Sequence, residues 1–142
     1  MAQKYFDRVD WTENLKIASG SITHTATDTK TTIKKSSAIS LSDTVSCINP
    51  TNKYMLYLQR PINDTANNMV GYVYNVDKID GTNARDILID TTTVAEISAT
   101  TSYKAKVVEG LFLGSAKQIK IGVSYPVSTT SALTAYYNLY RL

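Results

Sequence analysis

The sequence predicts an all-β protein, an antiparallel β-sandwich preceded by an N-terminal arm. The 142 residues include 19 Thr, 13 Ser and 10 Tyr beside many Val and Ile, a composition typical of strands. Apolar and polar residues alternate with period 2 in successive short runs, and turn residues separate these runs. A chain of this size buries roughly 70% of its unfolded surface, so residues 21–142 can form one domain without disulfides or a metal.

Residues 1–20 differ from the rest of the chain and are predicted to be a docking arm. Apolar and charged residues mix there with neither a strand period nor a helix period. The segment is too apolar for a free disordered tail. We expect four side chains to pack against another chain or, as the alternative, against their own sandwich: Tyr5, Phe6, Val9 and Trp11.

The first half of the domain contains several predicted strands. Residues 21–35 are rich in Thr with few apolar residues, a pattern that favours a half-exposed, edge-type strand pair over a core strand. Residues 37–47 alternate, with a break near Asp43, and indicate a strand with one buried face. Residues 53–59 are apolar on both parities, and Pro61 ends that strand.

The second half begins with residues 69–76, which alternate again. The Asp80-Gly81 pair that follows is the strongest turn signal in the chain. Shorter strands are predicted at residues 87–89, around 94–97, at 103–108 and at 111–113.

Two regular strands close the chain. Residues 117–125 predict a strand with Ile119, Ile121, Val123 and Tyr125 on one face. Ile121 and Val123 are predicted to be core residues, and Lys120 is predicted to face solvent. Residues 132–142 predict the last strand, with Tyr136, Asn138 and Tyr140 on one parity.

The sequence contains no set of residues typical of catalysis, so we expect a non-enzymatic protein with no cofactor. His24, the single His, has no triad spacing around it, which favours an exposed strand histidine. The single Cys, Cys47, lies on the apolar parity of its strand and is predicted to be a buried, unreactive thiol. Neither a phosphate-binding loop nor a Cys-x-x-Cys motif is present.

The Asp80-Gly81 turn is also a weak candidate for a calcium site. Oxygen-bearing side chains cluster around it, namely Asp77, Asp80, Asn83 and Asp86. Their spacing is not that of an EF-hand, and Lys78 and Arg85 lie among them. An ordinary hairpin turn is therefore the favoured interpretation, and no metal is expected.

The tyrosines raise the question of sugar binding. Tyr72 and Tyr74 share a face of their strand, and Tyr57 and Tyr125 lie on other strands; these four are possible glycan contacts. The alternative is that tyrosines pack at the rim of the sandwich and across subunit interfaces with their hydroxyls in water, and this alternative is favoured.

Three segments resemble those of a known group of domains. Residues 39–45 followed by 52–58 look like the early strands of jelly-roll modules, residues 118–124 like the penultimate core strand, and residues 133–142 like the closing strand. Such modules occur in bacteriophage tail and capsid proteins and in carbohydrate-binding modules. The resemblance implies a jelly-roll type of sandwich and bears on function only by analogy.

These observations predict a structural protein of a bacteriophage virion, either a capsid decoration protein or head fibre or a tail component. We expect it to be made in the host cytoplasm without a signal peptide and to assemble as a homo-oligomer with other virion proteins. The alternative is a carbohydrate-binding module or an adhesin for a cell-surface glycan. A net charge of +3 is too small to imply nucleic acid, and no apolar stretch is long enough to predict membrane insertion.

Overall fold

The computed structural model describes residues 16–41, 54–61, 68–78, 80–92, 97–98, 103–108, 118–127 and 129–141. Within these ranges there is no helix, and so none that could cross a membrane. The strands are β1 (Lys16–His24), β2 (Lys34–Lys35), β3 (Ile39–Ser40), β4 (Tyr54–Gln59), β5 (Val70–Asp77), β6 (Arg85–Thr91), β7 (Tyr103–Val108), β8 (Gln118–Ser124) and β9 (Leu133–Arg141). The predicted all-β class is confirmed.

The first sheet has four strands in the order β1-β9-β4-β7, and every neighbouring pair is antiparallel. Strand β9 lies between β1 and β4, with Ile22 paired to Ala135 and Leu56 paired to Leu139. Because side chains alternate across a strand, these residues share the inner face, and all four are buried.

The second sheet has the order β2-β8-β5-β6, and β3 also pairs with β8. Strand β8 is central, and Ile119, Ile121 and Val123 on its inner face are fully buried. The side chain of Lys120, on the opposite face, retains 28% of its exposure. The parity predicted for this strand is therefore confirmed.

The inner faces of the two sheets pack against each other, as in a β-sandwich. Leu58 of the first sheet lies so close to Gly71 of the second that a side chain at position 71 would meet it. The buried cluster draws apolar residues from both sheets, among them Ile22, Leu56, Leu58, Val73, Ile121, Val123, Leu133 and Leu139. Burial of these apolar side chains stabilises the described part of the fold.

Strand β1 begins at Lys16, so the last five residues of the predicted 1–20 arm belong to the sheet. The pairing with β9 shifts register between Lys16 and Ala18, and this irregularity interrupts the period of 2. Small and hydroxyl residues on β1 weaken its hydrophobic pattern further. The predicted docking residues Tyr5, Phe6, Val9 and Trp11 lie outside the described residues.

The strand pair predicted for residues 21–35 is not formed, although both strands in this range lie at sheet edges. The first part of this range completes β1, which is an edge strand of the first sheet, and β2 is an edge strand of the second. Between these strands the chain turns, with backbone hydrogen bonds from Asp28 N to Thr25 O and from Thr32 N to Thr29 O. Of the predicted strand 37–47, Ile39–Ser40 is a strand, and residues 42–47 lie outside the described residues.

The Asp80-Gly81 turn joins β5 and β6, as predicted. Gly81 has a φ of 78°, in the region that favours glycine, and its N–H donates to the Lys78 carbonyl at 2.9 Å. Paired strands on both sides make this connection a β-hairpin.

Candidate functional site

The outer face of the first sheet carries a group of aromatic, amide and hydroxyl side chains. We define the tyrosine face as the outward residues of β1, β9 and β4 at its centre: Ser19, Ser21, Tyr57, Gln59, Tyr136 and Asn138. Tyr57 and Tyr136 remain 39% and 44% exposed, among the most exposed large apolar side chains of the described residues. Both rings are therefore accessible at the surface of the first sheet.

The register arranges these side chains as a square. Tyr57 of β4 is paired with Asn138 of β9, and Gln59 is paired with Tyr136. Paired residues lie on the same face, so the two rings occupy one diagonal of the square and the two carboxamides the other. Strand β1 adds a hydroxyl to each row, because Ser19 is paired with Asn138 and Ser21 with Tyr136.

The tyrosine face has a defined shape. The ring of Tyr57 meets the ring of Tyr140 edge to face, with centroids 5.3 Å apart and an angle of 72° between the planes. Tyr57, Gln59, Tyr136 and Asn138 line an open depression of about 330 Å³. The aromatic contact and the strand backbone restrict the Tyr57 ring before any ligand arrives.

No outward position of the tyrosine face as defined carries a charge. On the outward parity of β1, Lys16 is paired with Tyr140 at one end of the strand. At the other end, the hydroxyls of Thr23 and Thr134 hydrogen bond to each other at 2.9 Å. The tyrosine face therefore presents aromatic rings, amides and hydroxyls, and none of its defined residues carries a charge.

The outer face of the second sheet is organised by charge instead. Asp86 accepts hydrogen bonds from Lys35 and Lys120, and the Lys35 ammonium also lies 4.3 Å from the centre of the Tyr74 ring. Burial tends to raise the pKa of Asp86, but the two lysines outweigh it and lower that pKa. Burial is also the main cause that raises the pKa of Tyr74. The carboxylate of Asp86 and the ammonium groups of Lys35 and Lys120 pair with one another. We therefore interpret this cluster as a structural network.

The four tyrosines proposed from the sequence as glycan contacts do not come together. Tyr57 is on the first sheet, whereas Tyr72 and Tyr74 stack at 6.3 Å on the second. The Tyr72 hydroxyl hydrogen bonds to Ser124, and Tyr74 is buried. Tyr125 is 1% exposed and packs against the ring of His24, so it belongs to the core side of the fold.

The oxygens proposed as a weak calcium site have other partners. Asp80 accepts hydrogen bonds from the backbone N–H groups of Thr82 and Asn83 and from the Asn83 amide, which lower the pKa of its carboxyl. Asp77 accepts from the N–H of Lys78, and Asp86 is held by the two lysines. Among the described residues, no three His, Cys, Asp or Glu side chains are grouped to hold a metal ion.

His24 is buried, which corrects the expectation of an exposed strand histidine. Its side chain is on the inner face of β1 with 1% exposure, and Nε2 lies 2.9 Å from the carbonyl oxygen of Thr32. Since a carbonyl can only accept, Nε2 carries the hydrogen. Cys47 lies outside the described residues.

Sequence reasoning did not select Gln59, Tyr136 and Asn138 as site residues. Their parity was visible, since Tyr136, Asn138 and Tyr140 alternate with buried residues along β9. The sequence does not show which strand lies beside β9, because that strand, β4, is about eighty residues away along the chain. The square exists only in the pairing of these two strands.

Comparisons with known proteins do not assign the chain to a family. No protein-family model matches it, and no curated protein matches it.

Proposed function

We propose that the protein is a structural component of a bacteriophage virion, a capsid decoration protein, head fibre or tail component. In this proposal residues N-terminal to β1 attach it to other virion proteins, and the β-sandwich is displayed as a homo-oligomer. Its task is contact, not catalysis.

The strand order is the observation that carries the proposal. If β2 and β3 are counted as one interrupted strand, the described part of the chain has eight strands, and in that count the sheets have the orders 1-8-3-6 and 2-7-4-5. This order, in which the first strand pairs with the last, supports a jelly-roll type of sandwich. Viral capsid domains and lectin domains are common users of that architecture, which supports a virion role by analogy.

The composition of the outer face gives independent support. Tyrosine, amide and hydroxyl side chains form adaptable contacts at a modest cost in side-chain entropy, as in the binding loops of antibodies. In a virion many copies present the same face, so individually weak contacts add up through multivalency.

Mass spectrometry of purified particles tests the proposal. Particles are collected from the phage that encodes the chain and banded by density, and the chain is expected in the particle band in a fixed ratio to the capsid or tail proteins. A cryo-EM map of the same particles should then contain the sandwich. Absence from intact particles, with the protein free in the lysate, would contradict the proposal.

The carbohydrate-binding module is the second candidate, and the tyrosine face is the observation that favours it. A free module is expected to be monomeric in solution, whereas a virion component is expected to form an oligomer or to sediment with particles. Sedimentation of the purified protein and of the lysate distinguishes these two functions.

A further inference from the structure

We propose that the tyrosine face binds a neutral glycan, with a sugar ring lying across the Tyr57–Tyr136 diagonal and its hydroxyls on Gln59 and Asn138. The inference concerns the ligand of one surface and holds whether the protein is part of a virion or free.

The pattern of rings and amides is the first argument. Each sugar ring presents C–H groups on its faces and hydroxyls at its edge, so apolar and polar chemistry alternate within a few ångströms. The square repeats that alternation, because Tyr57 is beside Asn138 and Gln59 is beside Tyr136. A carboxamide both donates and accepts, which suits a hydroxyl that does the same.

The absence of charge at the centre of the face is the second argument. Ser19 and Ser21 continue the two rows with hydroxyls, and Lys16 lies only at one end. An acidic glycan or a nucleic acid would be recognised by Lys or Arg side chains. The square offers such a ligand no cation, whereas a neutral ligand has no charge to compensate.

The preorganisation of the face is the third argument. Tyr57 is held by the edge-to-face contact with Tyr140. All four residues of the square stand on strands β4 and β9, which pair along their whole common length. A surface that is already ordered loses little entropy when it binds, so a small ligand can be held by few contacts.

A second copy of the chain is a less suitable occupant. The core of a stable protein interface is apolar and largely continuous. On this face the two exposed rings are diagonal to each other, and carboxamides fill the positions between them. Pairing two such faces would bury several amides and hydroxyls whose partners would have to match by chance.

An array of neutral, sialylated and sulfated oligosaccharides, probed with the full-length protein, tests the proposal. We expect binding to one or more neutral oligosaccharides and preference for these over the charged ones. For the best neutral binder, titration calorimetry should give about a tenfold or greater loss of affinity for Tyr136→Ala and for Asn138→Ala. Both side chains face outward, so the far-UV CD spectrum should be unchanged.

Leu88→Ala is the matched control. Leu88 is 50% exposed on the second sheet, and its loss should leave glycan affinity unchanged. The proposal is overturned if no neutral oligosaccharide binds, if only charged ones bind, or if Leu88→Ala weakens binding as much as Tyr136→Ala. It is also overturned if Tyr136→Ala dissociates an oligomer without altering glycan affinity, which would make the face a contact between copies. None of these results depends on virion membership, which the particle analysis tests separately.

Discussion

The side chain of Lys30 donates a hydrogen bond to the carbonyl of Thr129, 99 residues further along the chain, at 2.9 Å. The same Nζ donates to the carbonyls of Thr25 at 2.7 Å and Asp28 at 2.9 Å, and Lys30 is fully buried. In the backbone, Tyr125 N donates to the carbonyl of Lys30. The turn after β1, a strand of the first sheet, is therefore hydrogen bonded to the segment after β8, a strand of the second sheet.

Lys30→Met is expected to destabilise the protein by about 2–4 kcal/mol, because Met fills much of the space but leaves buried carbonyls without a donor. Chemical denaturation of the purified variant measures the loss. Lys78→Met, on an exposed residue after β5, is the matched control and should change stability by less than about 0.5 kcal/mol. Equal effects of the two substitutions would mean that the carbonyl cluster contributes little.

Ile121→Ala should cost about 2–4 kcal/mol, since Ile121 is fully buried at the centre of β8 and Ala leaves a cavity. The neighbouring Lys120→Ala removes one partner of Asp86, but Lys35 remains on that carboxylate, so its cost should stay under about 1 kcal/mol. Urea denaturation of both variants compares the two faces of one strand. Similar small losses would contradict the register described for β8.

Gly20→Ala should destabilise the fold by about 1–3 kcal/mol through overpacking. A Cβ at position 20 would lie 2.7 Å from the Tyr137 hydroxyl oxygen and 2.9 Å from its ring carbon, and Tyr137 is buried beneath it. In a Tyr137→Leu background the same substitution should cost less, because the ring that it meets is gone. Ser21→Ala, one residue further and facing outward, is the control. An unchanged cost of Gly20→Ala in the Tyr137→Leu background would refute this contact as the cause.

Acidification is expected to destabilise the protein through carboxylates whose pKa is lowered in the folded state. The hydrogen bond from Lys34, with further bonds from Thr25, holds the pKa of Asp28 well below its usual 3.8, and Lys35 and Lys120 lower the pKa of Asp86 against the opposing effect of burial. A carboxyl whose pKa is lower in the folded state than in the unfolded state stabilises the fold at any pH above its unfolded pKa. This stabilisation is therefore present at neutral pH and is lost as the pH falls below about 4.

Melting temperatures of wild type, Asp28→Asn and Asp86→Asn between pH 6 and pH 2 measure this dependence. Each Asn variant should be less stable at pH 6 and should lose less stability on acidification than wild type, because it has no proton to take up at that position. Parallel curves for all three proteins would mean that these carboxylates do not couple pH to folding.

The strands that could be predicted from sequence are those whose pattern comes from burial on one side. In β8 every inward residue is a large aliphatic one, so the alternation is visible without any knowledge of the neighbouring strands. Tyr125 shares the parity of Ile119 and, like Ile119, is buried.

The start of β1 and the tyrosine face could not be predicted in the same way. Along β1 the inward side includes Ala18 and Gly20, small residues that carry little hydrophobic signal, and the register shift near Lys16 breaks the period. The square on the first sheet depends on Tyr57 meeting Asn138, a pairing between strands far apart in sequence. Local pattern determines which face a residue takes, whereas strand order determines its neighbours.

Deletion of residues 1–15 should leave the sandwich folded and abolish incorporation into particles, if these residues are the docking arm of the proposed virion protein. The deletion stops before Lys16, where β1 begins, so the whole of β1 as described is kept. Burying several hundred Å² of apolar surface on a neighbour at about 25 cal/mol per Å² contributes several kcal/mol, partly offset by ordering the arm.

A Tyr5→Ser/Phe6→Ser/Trp11→Ser variant, which keeps the length of the chain, should fail to incorporate in the same way. Far-UV CD and thermal melting report folding, and mass spectrometry of banded particles reports incorporation. A truncated protein that does not fold would make the arm part of the sandwich, and one that folds and still enters particles would move the attachment to the strand faces.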